Sequence, residues 1–298
     1  MLGARGSVVQ PHLKPPAPDT YQDLVRMALS EDIGPGDLTS NLVIPEAATG
    51  SARIEARTDL VVSGLFVARD VSLQVDPEIR VEILADEGER VEAGRVLMRL
   101  HGSLRSILAA ERTALNFLGR LCGISTLTER YVSEVSHTQC KIVDTRKTMP
   151  GWRALDKFAV ACGGGTNHRF ALYDGILLKD NHRAAAGSVE AAVRAALDGA
   201  ESGIRVQVEV ESLEDSEIAC QAGADFLLLD NQSPAQVRAI VEKLADVALL
   251  EASGGITLDN LKEYADTGVH RISLGALTHS APAADVSLEF ETQDGTHV

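Results

Sequence analysis

Residues 206–231 read VQVEVESLEDSEIACQAGADFLLLDN, and this stretch decides the fold class. Val206, Val208 and Val210 share one face of a short extended run, while Gln207, Glu209 and Glu211 share the other. An amphipathic stretch follows over 212–222. A second apolar run, Phe226–Leu229, then ends in Asp230-Asn231. Strand, helix and strand in such short order make a unit of a parallel sheet.

The same alternation extends both ways. Further β-rich runs are Lys141–Asp144, Gly175–Leu178, Ala248–Leu250 and Arg271–Leu274. Helical stretches fall near 152–162, 187–200, 234–244 and 257–267. Six runs fall short of the eight that close a βα barrel, so a partial α/β barrel, or one with weak strands, is expected.

Upstream the pattern differs. Residues 1–18 carry Pro11, Pro15, Pro16 and Pro18 and read as a loose arm. A helix is expected from Thr20, with Asp23 as its capping-box acid and Tyr21, Leu24, Val25, Ala28 and Leu29 as its stripe. The turn-rich segment Glu31–Ser40 ends it. Residues 51–101 alternate like β structure, and Asp86–Leu97 reads as a turn between short strands. That hairpin is similar to those of biotinyl and lipoyl carrier domains. No lysine occurs between Lys14 and Lys141, however, so there is no attachment residue for a carrier. A long helix is expected over Ser103–Leu121, with Glu111 inside its apolar stripe and Arg112 at the edge. Those two residues form an internal ion pair, or Arg112 snorkels to the surface, or a side chain here is offered to a site across an interface. The expected organisation is an arm (1–18), an N-terminal α/β domain (19–125) and a barrel (126–280), with the return of 281–298 to the first domain left open.

The bulk numbers set limits. The chain has 298 residues and a formal net charge of −15, which disfavours nucleic acid as a partner. Cys122, Cys140, Cys162 and Cys220 are scattered, with neither CxxC nor zinc spacing, and read as reduced thiols suited to the cytoplasm. No apolar run is long enough for a membrane span.

In parallel α/β barrels the reactive groups gather beyond the C-terminal ends of the strands. Here those ends lead into Asp144-Thr145-Arg146-Lys147-Thr148, Lys179-Asp180-Asn181-His182, Glu209 to Glu211, Asp230-Asn231, Glu251-Ala252-Ser253-Gly254-Gly255 and Gly275-Ala276. Residues 141–183 hold eight Lys or Arg against four Asp, a net positive block in an acidic chain, which suits a small polyanion. Glu209 is expected to face the barrel axis. With Asp230 it suits ribose hydroxyls or a hydrated Mg²⁺, and structural salt bridging is the alternative for either residue alone. Ser253-Gly254-Gly255 and Leu274-Gly275-Ala276 suit a phosphate group. Gly163-Gly164-Gly165 is read as a helix end, after which Thr166-Asn167-His168-Arg169 returns cations to the mouth.

Taken together, the chain resembles the quinolinate phosphoribosyltransferase family from Glu31 to Phe290. The most specific matches are Glu111-Arg112-Thr113-Ala114-Leu115-Asn116, Asp144–Thr148, Gly163–Arg169, Leu177–His182, Leu228–Asn231 and Glu251–Ile256. The resemblance implies an N-terminal α/β sandwich and a C-terminal open α/β barrel of the type II phosphoribosyltransferase kind. It implies a homodimer, with a larger assembly left open, and a reaction of quinolinate with phosphoribosyl pyrophosphate that uses Mg²⁺. It further implies that Arg112 acts from the partner subunit, and that Thr145, Arg146, Lys147, His168, Arg169 and Lys179 bind the anions. Glu209 and Asp230 would lie near ribose and metal, with Lys147, Glu209 and Asp230 as the catalytic set. Ser253, Gly254, Gly255, Leu274, Gly275 and Ala276 would hold the 5′-phosphate. The chain departs from the family pattern at Met149, Trp152 and Ala171, none of which removes a charged contact.

Overall fold

The computed structural model describes residues 13–201 and 203–291, in two compact units. One unit comprises the described residues up to Glu129, Thr148–Gly164 and those from Leu277 onward. The other comprises Arg130–Lys147 and Gly165–Ala276. The sequence places 152–162 with the barrel, but in the structure that helix packs in the first unit.

The first unit opens on a 3₁₀ turn, Pro18–Thr20, then α1 (Gln22–Ile33) and α2 (Leu38–Val43). The expected capping box at Thr20 does not form. Thr20 Oγ1 donates to Ala17 O instead, and no side chain caps α1, which starts two residues later. Tyr21 is anchored otherwise: its hydroxyl donates to Asp70 Oδ2 at 2.6 Å and its ring meets Phe66 edge-on. Next come β1 (Thr49–Ala56), β2 (Leu60–Val61), α3 (Leu65–Val75), β3 (Arg80–Ile83), β4 (Arg90–Val91), β5 (Val96–Ser103) and α4 (Leu104–Glu134). Ile54, Leu97, Leu100, Val67, Val71, Ile107, Phe117, Leu118 and Leu121 are buried and form its core.

The barrel unit follows the βα rhythm. Its strands are β6 (Lys141–Val143), β7 (Ile176–Leu178), β8 (Val206–Val210), β9 (Phe226–Asp230), β10 (Leu249–Ser253) and β11 (Arg271–Ser273). Between β6 and β7 lies α5 (Arg153–Cys162), which belongs to the first unit. The others are α6 (Asp180–Ala186), α7 (Val189–Gly199), α8 (Leu213–Gln221), α9 (Pro234–Leu244) and α10 (Leu261–Ala265). Ser188, Ser212 and Ser233 cap α7, α8 and α9 through their hydroxyls. The six strands are parallel in the order β6-β11-β10-β9-β8-β7, so the first strand lies beside the last and the sheet ends at β6 and β7. Thr166 adds a parallel bridge on the open side of β6.

The chain then returns to the first unit through α11 (Ala276–His279) and β12 (Val286–Glu291), which pairs antiparallel with β1. The resulting sheet runs β12-β1-β5-β3. α4 runs thirteen residues past the end that the sequence pattern indicates, because Gly119 and Gly123 pack instead of breaking it. A Cβ on Gly123 would sit 2.0 Å from Pro282 O. α5 is clasped in the same way: a Cβ on Gly163 would lie 2.3 Å from Ser125 O, and Arg120 binds the fully buried Asp156 through two hydrogen bonds of 3.0 and 2.7 Å. Trp152 stacks on Phe117 with centroids 4.5 Å apart. Most of the expected N-terminal arm lies outside the described residues.

Candidate active site

The strand register builds the site in layers. Glu209 of β8 lies opposite Leu228 of β9, Leu228 opposite Glu251 of β10, and Glu251 opposite Arg271 of β11. One step toward the C-terminal ends, Asp230, Ser253 and Ser273 align in turn. Alternation sends these side chains to one face, where all but Arg271 line a cavity of about 320 Å³. Val206, Val208 and Val210 are buried on the other face. Loops beyond the strands complete the lining with Thr145, Arg146, Lys147, His168, Arg169 and Lys179.

The cationic groups are held from behind. Asp144, fully buried at the end of β6, accepts the His168 backbone N–H at 2.7 Å and pins the 166–169 segment to the sheet. Arg169 Nη1 donates to Gly175 O at 2.8 Å. Burial and then neighbouring Arg146 lower the Arg169 guanidinium from its usual range, as expected where cations converge before an anion arrives. Asp174 accepts the amides of Phe170 and Ala171 and closes the turn beyond. Lys179 Nζ lies 3.5 Å from Glu209 Oε2. His182, in the first turn of α6, accepts the Lys179 amide through Nδ1.

The acidic side has its own fixing. Asn231 adopts a left-handed backbone, φ 53°, and donates from Nδ2 to Asp230 Oδ2 at 2.6 Å. Its amide side chain fills the space over Gly254, where a Cβ would come within 2.2 Å of Asn231 Oδ1. Gly254, at φ 89°, thus joins the ends of β9 and β10. Glu209 and Asp230 are two carboxylates facing one cavity, and no group of three His, Cys, Asp or Glu suited to a metal occurs among the described residues. Mg²⁺ is commonly bound by one or two carboxylates with substrate phosphates and water, so this donor set fits an ion that arrives with a phosphate ligand.

Thus Thr145, Arg146, Lys147, His168, Arg169, Lys179, Glu209, Asp230 and Ser253 are brought together. Gly254, Gly255, Leu274, Gly275 and Ala276 continue from β10 and β11 but are not in the lining. The Leu274 side chain is buried, which leaves its backbone for any ligand. Arg112 is exposed on α4, in the other unit. Glu251, named at a strand end but given no role, and Ser273, not named, also line the cavity. The alternation that picks Glu209 on β8 would have found both. Met149, Trp152 and Ala171 are absent from the lining. A larger depression of about 840 Å³ lies over α6, α7 and α8. Its charges include pairs within the fold, among them Arg183–Asp215 and Arg194–Glu190, and of the strand-end residues named from the sequence it holds only Asp180.

This arrangement has known counterparts. The quinolinate phosphoribosyl transferase N-terminal domain model matches residues 37–122, and the C-terminal domain model matches 124–289. The chain belongs to this family. It is 41% identical over 259 residues to a probable nicotinate-nucleotide pyrophosphorylase [carboxylating] of Bacillus subtilis (strain 168), covering 87% of this chain and 89% of that one. Identity to the nicotinate-nucleotide pyrophosphorylase [carboxylating] of Mycobacterium leprae (strain TN) is 40% over 282 residues, covering 91% and 98%. The solved nicotinate-nucleotide pyrophosphorylase of Francisella tularensis superposes with a TM-score of 0.90 at 38% identity, over 94% of this chain and 99% of that one. Membership accounts for the N-terminal and C-terminal α/β domains.

Proposed function

We propose that the chain transfers the phosphoribosyl group of phosphoribosyl pyrophosphate to the ring nitrogen of quinolinate, forming nicotinate mononucleotide, pyrophosphate and CO₂ in NAD biosynthesis. The observation that carries this reading is a single cavity in which Arg146, Lys147, Arg169 and Lys179 face Glu209 and Asp230. Quinolinate brings two carboxylates, and forked guanidinium groups bind carboxylates through paired hydrogen bonds. Arg146, Arg169 and Lys179 serve that end of the site. Lys147 meets the departing pyrophosphate. Glu209 and Asp230 hold the ribose hydroxyls and stabilise the positive charge that grows at C1 as the C1–O bond breaks. The ring nitrogen then bonds to C1 and becomes cationic. It draws in the electron pair of the C2–carboxylate bond, CO₂ leaves, and C2 takes up a proton.

Mg²⁺, when bound, would supply positive charge to the pyrophosphate, and Glu209 and Asp230 are the residues that would hold it, directly or through water. The 5′-phosphate is assigned to the Ser253-Gly254-Gly255 and Leu274-Gly275-Ala276 backbones. The working assembly is a homodimer in which Arg112 of one protomer reaches the partner's cavity. Its exposure on α4 supports this. Leu38, Leu42 and Val43 of α2, in the same unit, are also exposed and give an apolar surface for the contact. The four cysteines are free, which suits the cytoplasm, and no described helix is long and apolar enough to cross a membrane.

The test is direct. Purified protein with quinolinate, phosphoribosyl pyrophosphate and Mg²⁺ should release nicotinate mononucleotide and pyrophosphate in equal amounts. Preference for nicotinate over quinolinate in competition, or no product, overturns the assignment.

A further inference from the structure

Glu251 is fully buried in β10, yet it lines the cavity. Neither carboxylate oxygen accepts a hydrogen bond from the described residues. The nearest side-chain nitrogens stand off: His168 Nε2 at 3.5 Å and Arg271 Nη1 at 4.0 Å. Its register partner on β9 is Leu228, so an apolar residue serves this layer of the sheet equally well. A carboxylate placed here without donors is costly to the fold, which points to a task in the site.

The imidazole beside it can be assigned a proton. Arg169 donates its backbone N–H to His168 Nδ1 at 2.7 Å. Nδ1 is therefore the acceptor, and the ring proton belongs on Nε2. Nε2 lies 2.9 Å from Gln207 Oε1, so Gln207 must present its oxygen to the ring. Nε2–H then points toward Gln207 Oε1, with Glu251 Oε1 as a second, charged neighbour. Phe226 lies alongside, its ring 6.5 Å from His168 and 5.4 Å from the Arg271 guanidinium. Asp144 holds the His168 backbone N–H, so the ring cannot leave without disturbing β6.

We propose that Glu251 is a positioning residue: its negative charge holds His168 as the Nε2–H tautomer, keeping Nδ1 as acceptor of the Arg169 amide and so directing Arg169 toward quinolinate. The proposal rests on quinolinate as substrate for its kinetic consequence alone. The tautomer itself is a property of the ligand-free protein.

The experiment uses full-length protein labelled with ¹⁵N-histidine at mildly alkaline pH, with His168 assigned through His168→Asn. Long-range ¹H–¹⁵N correlations distinguish the two neutral tautomers. Wild type should show the Nε2–H pattern. Glu251→Gln retains an acceptor without charge, and Glu251→Ala retains neither, so the Nδ1–H population should rise in that order. The KM for quinolinate should rise in the same order, by about tenfold in the alanine variant, with the KM for phosphoribosyl pyrophosphate within about twofold. An unchanged His168 pattern overturns the proposal. So does an equal rise in both KM values with a lowered Tm, which marks a purely structural role. Where the alanine variant is unfolded, Glu251→Gln carries the test by itself. Wild type that fails to turn over quinolinate overturns the function, not the pairing.

Discussion

Replacing Lys179 with methionine keeps the stem of the side chain and removes its charge. Lys179 Nζ is 3.5 Å from Glu209 Oε2, and the lysine side chain is 51% exposed. A pair that open contributes about 0–1 kcal/mol to folding, so Tm should fall by no more than about 4 °C. The effect on substrate should be much larger. A charge-assisted hydrogen bond to a carboxylate is worth about 1.5–3 kcal/mol, and the variant also leaves Glu209 without its neutralising neighbour. That converts to a fall of about 10- to 150-fold in kcat/KM for quinolinate. Initial rates at varied quinolinate and saturating phosphoribosyl pyrophosphate measure it, with thermal melting as the control. A kcat/KM within about threefold of wild type, or a large drop in Tm that accounts for the lost activity, refutes the placement of Lys179 at the substrate anion.

Two further outcomes concern the first unit. Arg120→Met strips the fully buried Asp156 of its two guanidinium hydrogen bonds and should cost about 3 kcal/mol in urea unfolding. Burial pushes the Asp156 carboxyl up and Arg120 pulls it down, so the variant should lose stability increasingly as pH rises above the ordinary aspartate range. Burial also raises the Glu87 carboxyl, against the pull of the Gly64, Phe66 and Leu65 amides. A folded-state value above the unfolded 4.5 means stability is present below that pH and is lost as pH rises through the raised value. Relative to Glu87→Gln, wild type should therefore weaken as pH climbs from 4.5, measured by unfolding midpoints. A constant difference between the two would contradict the buried anion.

Much of the barrel was legible because its information is local. Val206–Val210 states its own two faces, and Ser233 with Gln236 marks the start of α9. The cavity followed from strand ends, since a parallel sheet puts them all on one rim. What escaped depends on partners far along the chain. α4 continues through Gly119 and Gly123 because residues 282–284 need the space beside them. Thr148–Gly164 reads as one more βα helix, but Arg120 and Ser125 hold it in the first unit. Thr20 carried a correct cap signature, and a proline-led 3₁₀ turn redirected its hydroxyl. In the sequence Glu251 stands at a strand end without a role of its own, and only its place inside β10, its burial and its distance from any donor set it apart.

The pairing of β12 with β1 bears on how the protein is made. β1 leaves the ribosome early, flanked on one side by β5, while its other edge waits for residues 286–291. The barrel unit is synthesised in between. Throughout that interval the Ser51–Ala56 edge offers unpaired backbone groups, the usual starting point for strand addition between chains. Completion of this sheet is thus postponed until residues 286–291 have been translated, and a chain released before Val286 would be expected to aggregate even with its barrel residues all present.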